Sequence, residues 1–255
     1  LHANGMTVFI EREGARDHTE RMLASMGAKI HVETQEDGAV AIGIEGGARL
    51  RAHDILVPGD PFAAGLLTVA ALITPESDVK IPNVLMNPRP CGLFESLKEM
   101  GANISLENPR HNGGEDSADI HVKSSALKGI AVSPARAATM VDEIPLLAVA
   151  AACADGKTMI PCAAEPMRAN LAKGLSTAGV AITADENNLI VTGNGKPPKG
   201  GCHAASTADM RISAALLALG MASSEPIGID NGADVNAVLP GIVHLLNGMG
   251  AKISE

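Results

Sequence analysis

Three aspartates precede Ala-rich apolar runs, at positions where a carboxylate could both cap a helix and face a ligand. They are Asp60, Asp142 and Asp209, and aspartate is a favoured N-cap residue because it accepts hydrogen bonds from free backbone amides. Arg211 would lie in the first turn of the third helix, where the helix dipole opposes a cation by about 0.3–1 kcal/mol. An arginine there indicates a nearby anion. Because helix N-termini attract phosphate, we expect an anion site where the three helix starts converge.

The composition argues against several other kinds of site. The eight histidines and four cysteines show neither H-x-x-x-H nor C-x-x-C spacing, so we expect no metal site and no disulfide framework. The net charge of −9, without a Lys/Arg cluster, and the lack of Trp and Tyr argue against nucleic acid as a partner. No apolar run approaches the ~20 residues that span a bilayer. The first residues show no basic region followed by an apolar segment, so we expect no signal peptide. We therefore expect a cytoplasmic protein without a membrane partner.

The elements that would position these residues form a repeat. A helix ending in L-x-x-M-G-A-x-I occurs at 23–30 and 97–104, returns in looser form at 175–182, and occurs again at 246–253. The glycine of each copy is typical of a left-handed residue that ends a helix. Between the copies an Ala-rich helix runs into a short strand, and paired strands follow the first three copies.

This pattern predicts an α/β (α+β) fold built from β-α-β-α-β-β units of about 70–80 residues. Three units follow one another over residues 52–255, with approximate threefold symmetry, helices inside and sheets outside. Residues 1–51 supply only part of another unit, left from a second domain. A partial repeat leaves its apolar helix face without a partner, so we expect that the start of a longer protein is missing. Self-association through this open face is an alternative that the sequence leaves open.

Five segments resemble the EPSP synthase family, most closely its bacterial glyphosate-tolerant branch. They are residues 16–23, 57–61, 83–88, 113–116 and 142–150. The resemblance covers essentially the whole chain in the correct order. It implies two domains of three units each, with the active site in the cleft between them. Residues 52–255 would then be one complete domain.

The resemblance also implies a reaction, the transfer of the enolpyruvyl group of phosphoenolpyruvate to the 5-hydroxyl of shikimate 3-phosphate. It proceeds by addition and then elimination of phosphate, without a metal or an organic cofactor. This chemistry needs a base for the hydroxyl proton, an acid for the methylene carbon, and cations that hold phosphates and a carboxylate.

Four residues match the family's site motifs. Asp142 matches the catalytic aspartate of D-E-x-P, with a helix cap as the alternative interpretation. Glu165, expected to be catalytic, and Arg168, expected to bind phosphate, fall where the family has K-E-S-D-R; the alternative is an ordinary solvent-facing pair at a helix start. Arg211 matches the phosphate-binding arginine of D-H-R. Asp60 is better explained as a helix cap.

The chain departs from the family at three positions and in one loop. Ala164, Met167 and Met210 stand where the family has lysine, aspartate and histidine, and the loop before residue 164 is several residues short. Since the implied second half of the cleft is also missing, we expect this chain to be inactive alone and to bind anions weakly, at a millimolar scale worth about 4 kcal/mol.

Two other functions remain open. The chain could be a non-catalytic domain retained as a binding or assembly module, which the three departures favour. It could also belong to a UDP-N-acetylglucosamine enolpyruvyl transferase, although the R-D-H-T-E and D-E-x-P segments make this less favoured.

Overall fold

The computed structural model describes residues 1–12, 16–87, 92–230 and 232–254. Pro88, which belongs to the family-like segment 83–88, therefore lies outside the described residues, as do Cys91 and Glu255. The strands are β1 (Met6–Glu11), β2 (Ile30–Thr34), β3 (Val40–Glu45), β4 (Asp78–Leu85), β5 (Asn103–Asn112), β6 (Glu115–Lys123), β7 (Asp155–Pro161), β8 (Ala181–Ala184), β9 (Asn188–Asn194), β10 (Cys202–Ala204) and β11 (Ile227–Ile229). The helices are α1 (His18–Ser25), α2 (Pro61–Ile73), α3 (Gly92–Glu99), α4 (Pro134–Ala138), α5 (Ile144–Cys153), α6 (Glu165–Thr177), α7 (Met210–Ala222), α8 (Ala233–Val238) and α9 (Ile242–Gly248).

The sheets repeat one topology. Three antiparallel sheets have the orders β1-β3-β2, β4-β6-β5 and β7-β9-β8, so in each the last strand in sequence lies in the middle. In the chain order of each, one strand is followed by a helix and then by two paired strands. Strands β10 and β11 form a separate parallel pair. The mixed α/β fold with repeated units is therefore confirmed.

The predicted helix ends are also confirmed. The four glycines, Gly27, Gly101, Gly179 and Gly250, have φ of 93°, 93°, 88° and 107°. After each glycine, the next amide donates to the carbonyl five residues earlier, at 2.9–3.0 Å. This bond satisfies a helix carbonyl that would otherwise lack a partner, as in a Schellman motif.

The opening strand of the first two units is shorter than predicted. It is reduced to isolated parallel bridges, Gly59 with Val84, Lys128 with Asp155 and Ala131 with Met159. Pro58, Pro61 and Pro134 flank these segments, and proline removes the backbone donor that a longer ladder would need. The third unit opens with β10 but ends after α9, since residues 251–254 lie outside any strand. The division at residue 52 stays a prediction.

The core lies between three Ala-rich helices, α2, α5 and α7, which pack against one another. All ten residues of α5 are buried. Small side chains allow close approach: a Cβ added to Gly65 of α2 would lie 3.3 Å from Leu146 Cδ1 of α5 and 2.7 Å from Leu93 Cδ2 of α3. No helix in the described ranges is long and apolar enough to cross a membrane.

Candidate active site

A cavity of about 510 Å³ opens where the starts of α2 and α7 and the turn before α5 meet residues 16–18. Its charged wall consists of Arg16, His18, Asp60, Asp142, Glu143 and Arg211. The rest of the wall is mostly apolar and includes Phe62 and Met210. The predicted convergence of the three helix starts is therefore confirmed.

Two of the three aspartates cap their helices as predicted. Asp60 accepts hydrogen bonds from the amides of Phe62 and Ala63 at 3.1 and 3.2 Å, and Pro61 begins α2. Asp209 accepts from the amide of Arg211 at 3.0 Å.

Asp142 is not a helix cap. Residues 141–143 form a turn, Glu143 is the N-cap of α5, and no side chain caps this helix. The cap interpretation of Asp142 is therefore wrong, because the turn places this aspartate one residue too early. Its carboxylate is instead free to contact side chains on the cavity wall.

Asp142 lies between two arginines. Arg16 Nη2 donates to Asp142 Oδ2 at 3.2 Å, and Arg211 Nη1 donates to Asp142 Oδ1 at 3.0 Å. Arg211 also donates through Nε and Nη2 to the two carboxylate oxygens of Asp209, at 2.9 and 2.7 Å. This fork-like pair raises the pKa of Arg211 and lowers the pKa of Asp209. The position of Arg211 indicated a nearby anion, and the carboxylates of Asp142 and Asp209 are such anions within the protein itself.

Glu143 has the opposite surroundings. Only 4% of the residue is exposed. Burial, followed by the negative charge of Asp142, raises the pKa of its carboxyl to about 7. Sequence reasoning missed this residue, although the signal was available as the second acid of D-E-x-P.

The segment 16–21 is held against the sheet β4-β6-β5 by polar contacts. The Asn87 side-chain amide is 1% exposed and donates to Asp17 Oδ1 at 2.6 Å. His18 Nδ1 lies 2.7 Å from Glu115 Oε1. Gly114 must lack a side chain because an added Cβ would lie 2.5 Å from the backbone oxygen of Arg21. These contacts place Arg16 on the cavity wall, a position that sequence reasoning also missed.

A protein-family model described as EPSP synthase (3-phosphoshikimate 1-carboxyvinyltransferase) matches residues 1–246. The chain belongs to the EPSP synthase family.

Relatives and solved structures agree with this assignment. The 3-phosphoshikimate 1-carboxyvinyltransferase of Rhodospirillum rubrum is 44% identical over 100% of this chain and 58% of its own length. An EPSP synthase structure from Acinetobacter baumannii matches with a TM-score of 0.91 and 36% identity, over 99% of this chain and 58% of that chain. The enolpyruvyl transferase NikO from Streptomyces tendae, at a TM-score of 0.73 and 20% identity over 98% of this chain and 57% of that chain, shares the fold. The chain thus spans about 58% of the length of the curated relative.

Two of the residues that match EPSP synthase motifs do not line the cavity. Glu165 is exposed at the start of α6. Arg168 is buried, and its Nη1 donates to the backbone oxygen of Cys162 at 2.6 Å, so the solvent-facing interpretation is wrong for this arginine. The structure brings Asp142 and Arg211 together and leaves these two outside the cavity wall.

Proposed function

We propose that this chain supplies one side of an enolpyruvyl transferase active site, which binds phosphoenolpyruvate and shikimate 3-phosphate. The observation that carries the proposal is the cavity in which Asp142 contacts Arg16 and Arg211, formed by the motif segments of a family member. A volume of about 510 Å³ falls within the range of roughly 300–1,000 Å³ that small-molecule sites occupy.

The residues on the wall suit the two halves of this chemistry. Arginines bind phosphate and carboxylate groups through paired, charge-assisted hydrogen bonds. The two arginines hold Asp142 on the cavity wall, where its carboxylate would be positioned to accept the proton of the attacking hydroxyl. An incoming phosphate would compete with Asp142 and Asp209 for Arg211, which supports weak anion binding by this chain alone.

We further propose that the chain is inactive alone. The chain spans 58% of the length of its curated relative, which supports the proposal that the remaining part of such an enzyme supplies further ligands of the site. Catalysis by positioning requires both sides of the site. The competing hypothesis, a non-catalytic binding module, is supported by Met210 on the cavity wall, since a thioether neither donates a proton nor carries charge.

Phosphate release that requires both substrates tests these proposals. The chain should be measured alone and after fusion to the N-terminal portion of the Rhodospirillum rubrum relative. We expect no release from the chain alone and clear release from the fusion, lost in Asp142→Asn. Release by the chain alone contradicts the half-site proposal. A folded fusion without release contradicts enolpyruvyl transfer and favours the binding module.

The finer assignments are proposals of the same kind. Membership of the glyphosate-tolerant branch is supported by the segment 16–23, and a cytoplasmic location belongs to the same proposal. Inhibition of the active fusion by glyphosate would test the first: we expect a much weaker effect than on a glyphosate-sensitive enzyme.

A further inference from the structure

Two neighbouring carboxyl groups on the cavity wall have opposite environments. The side chain of Asp142 is 46% exposed and contacts Arg16 and Arg211. Glu143 is almost fully buried and lines the same cavity. Among the described residues, no other side chain donates a hydrogen bond to Glu143, and it takes part in none of the ion pairs found there. A buried carboxylate without a cation is costly, so the neutral acid is favoured.

The charged groups around Glu143 come from every element that forms the cavity. The negative charges of Asp142 and Asp60 disfavour its ionisation, whereas the positive charge of Arg16 favours it. His18 and Arg211 also face the cavity. Both arginines already donate to Asp142, so neither is committed to Glu143. The result is an acid that holds its proton near neutral pH beside a carboxylate that is paired with two arginines.

We propose that Glu143 is the proton carrier of this site, giving its carboxyl proton to the methylene carbon of phosphoenolpyruvate and later taking a proton back. The proposal rests on the transfer reaction proposed above. A general acid is most effective when it is protonated at the working pH and can still release the proton. Two acids whose environments separate their proton affinities can divide acid and base roles in this way.

The steps balance as follows. During addition, the hydroxyl oxygen forms a bond to C2, Asp142 takes the hydroxyl proton, and the C2=C3 electron pair takes the Glu143 proton to form a methyl group. During elimination, the Glu143 carboxylate removes one methyl proton and the C–H pair restores the double bond. The C2–O bond to phosphate breaks with its electron pair, and the proton on Asp142 leaves with the phosphate.

The first test is a direct titration of Glu143 in this chain by ¹³C NMR of its carboxyl carbon. We expect a midpoint near 7, and a lower midpoint in Asp142→Asn because the neighbouring negative charge is removed. A midpoint below about 5, close to an ordinary glutamate, overturns the proposal.

Sulfate binding shows whether this carboxyl faces the anion. Sulfate keeps its charge across the neutral range, so its affinity reports only changes in the protein. Wild-type affinity should fall several-fold between about pH 6 and pH 8, as Glu143 loses its proton. Glu143→Gln should show a clearly smaller pH dependence, whereas Glu186→Gln, at an exposed position outside the cavity wall, should behave as wild type. Equal pH dependence in wild type and Glu143→Gln overturns the proposal.

The active fusion tests the proton transfer itself. We expect Glu143→Gln to lower kcat by roughly 10²-fold or more with little change in phosphoenolpyruvate affinity, and to slow deuterium uptake from solvent into the methylene group equally. Glu143→Asp should recover part of the rate because it restores an acid with a shorter reach. Near-wild-type turnover by folded Glu143→Gln overturns the proton-carrier role alone. Absence of turnover in the wild-type fusion overturns the proposed transfer reaction. The carboxyl titration does not depend on turnover, so it distinguishes that failure from an incorrect assignment of the acid.

Discussion

The helices α1 and α3 carry the same sequence pattern in two regions of the molecule and are buried very differently. Leu97 and Met100, in and just after α3, are both fully buried. Their counterparts Leu23 and Met26 are only partly buried, and α1 has no buried residue. Helix α3 packs against α5, whereas α1 contacts only strands β2 and β6 among the closer neighbours.

The strands beside α1 show the same contrast. Phe9 on β1 is 61% exposed, whereas Ile81, at the matching place on β4, is 9% exposed and packs in an apolar cluster with Ala64 of α2. A repeated pattern therefore defines which face of a helix or strand is apolar, but a neighbouring element decides whether that face is buried. Among the described residues, both buried apolar clusters lie in the region with the three packed Ala-rich helices.

Truncation of equivalent leucines should give the largest difference between the two regions. We expect Leu97→Ala to lower the free energy of unfolding by about 2–5 kcal/mol, because it leaves a cavity in a packed core. Leu23→Ala, at the matching position of α1, should lower it by less than about 1 kcal/mol. Urea denaturation followed by circular dichroism measures both, and equal losses would show that α1 is as well packed as α3.

The raised pKa of Glu143 should make stability depend on pH in the core region. At pH values below 4.5, the ordinary pKa of this carboxyl, the group is protonated in both the folded and the unfolded chain. At pH values above about 7 it is ionised in both, and the folded state bears the burial penalty. The free energy of unfolding should therefore fall as pH rises between these values, by up to about 3 kcal/mol. Glu143→Gln should remove most of this slope, measured by urea denaturation at several pH values. A slope unchanged by the substitution would mean that other groups cause it.

Alanine substitutions of two glycines compare the closely packed core with an outer helix that has open space around its glycine. Gly65→Ala places a methyl group 2.7 Å from Leu93 Cδ2 and should destabilise the protein by about 1–3 kcal/mol. Gly248→Ala in α9 meets nothing within 4 Å, so it should be neutral or stabilising by up to about 1 kcal/mol. Thermal unfolding of both variants gives the comparison. Destabilisation of similar size at the two sites would contradict the close helix packing around Gly65.

Features with local signals were predictable from the sequence. The left-handed glycines at helix ends and the strand pairs after them depend on residues a few positions apart. The caps at Asp60 and Asp209 have the same local origin. Asp142 looked identical to them, yet one extra residue in the turn, Glu143, takes the cap position instead.

Features that depend on distant contacts were not predictable. Arg16 reaches Asp142 across 126 positions in sequence. The cavity that Glu143 lines is formed with the segment 16–18, the loop before α2 and the start of α7, which are far apart in sequence. The sequence alone suggests a solvent-facing position for Arg168. Only the fold of the preceding loop brings the Cys162 carbonyl to its guanidinium.

Titration of phosphoenolpyruvate into this chain, followed by backbone amide NMR, tests the central claim that the cavity is an anion-binding half of a transferase site. We expect amides at 60–63, 142–144 and 209–212 to shift together, with a millimolar dissociation constant worth about 4 kcal/mol, and Arg211→Ala to abolish these shifts. Amides that do not move in these segments, or shifts that Arg211→Ala leaves unchanged, would contradict it.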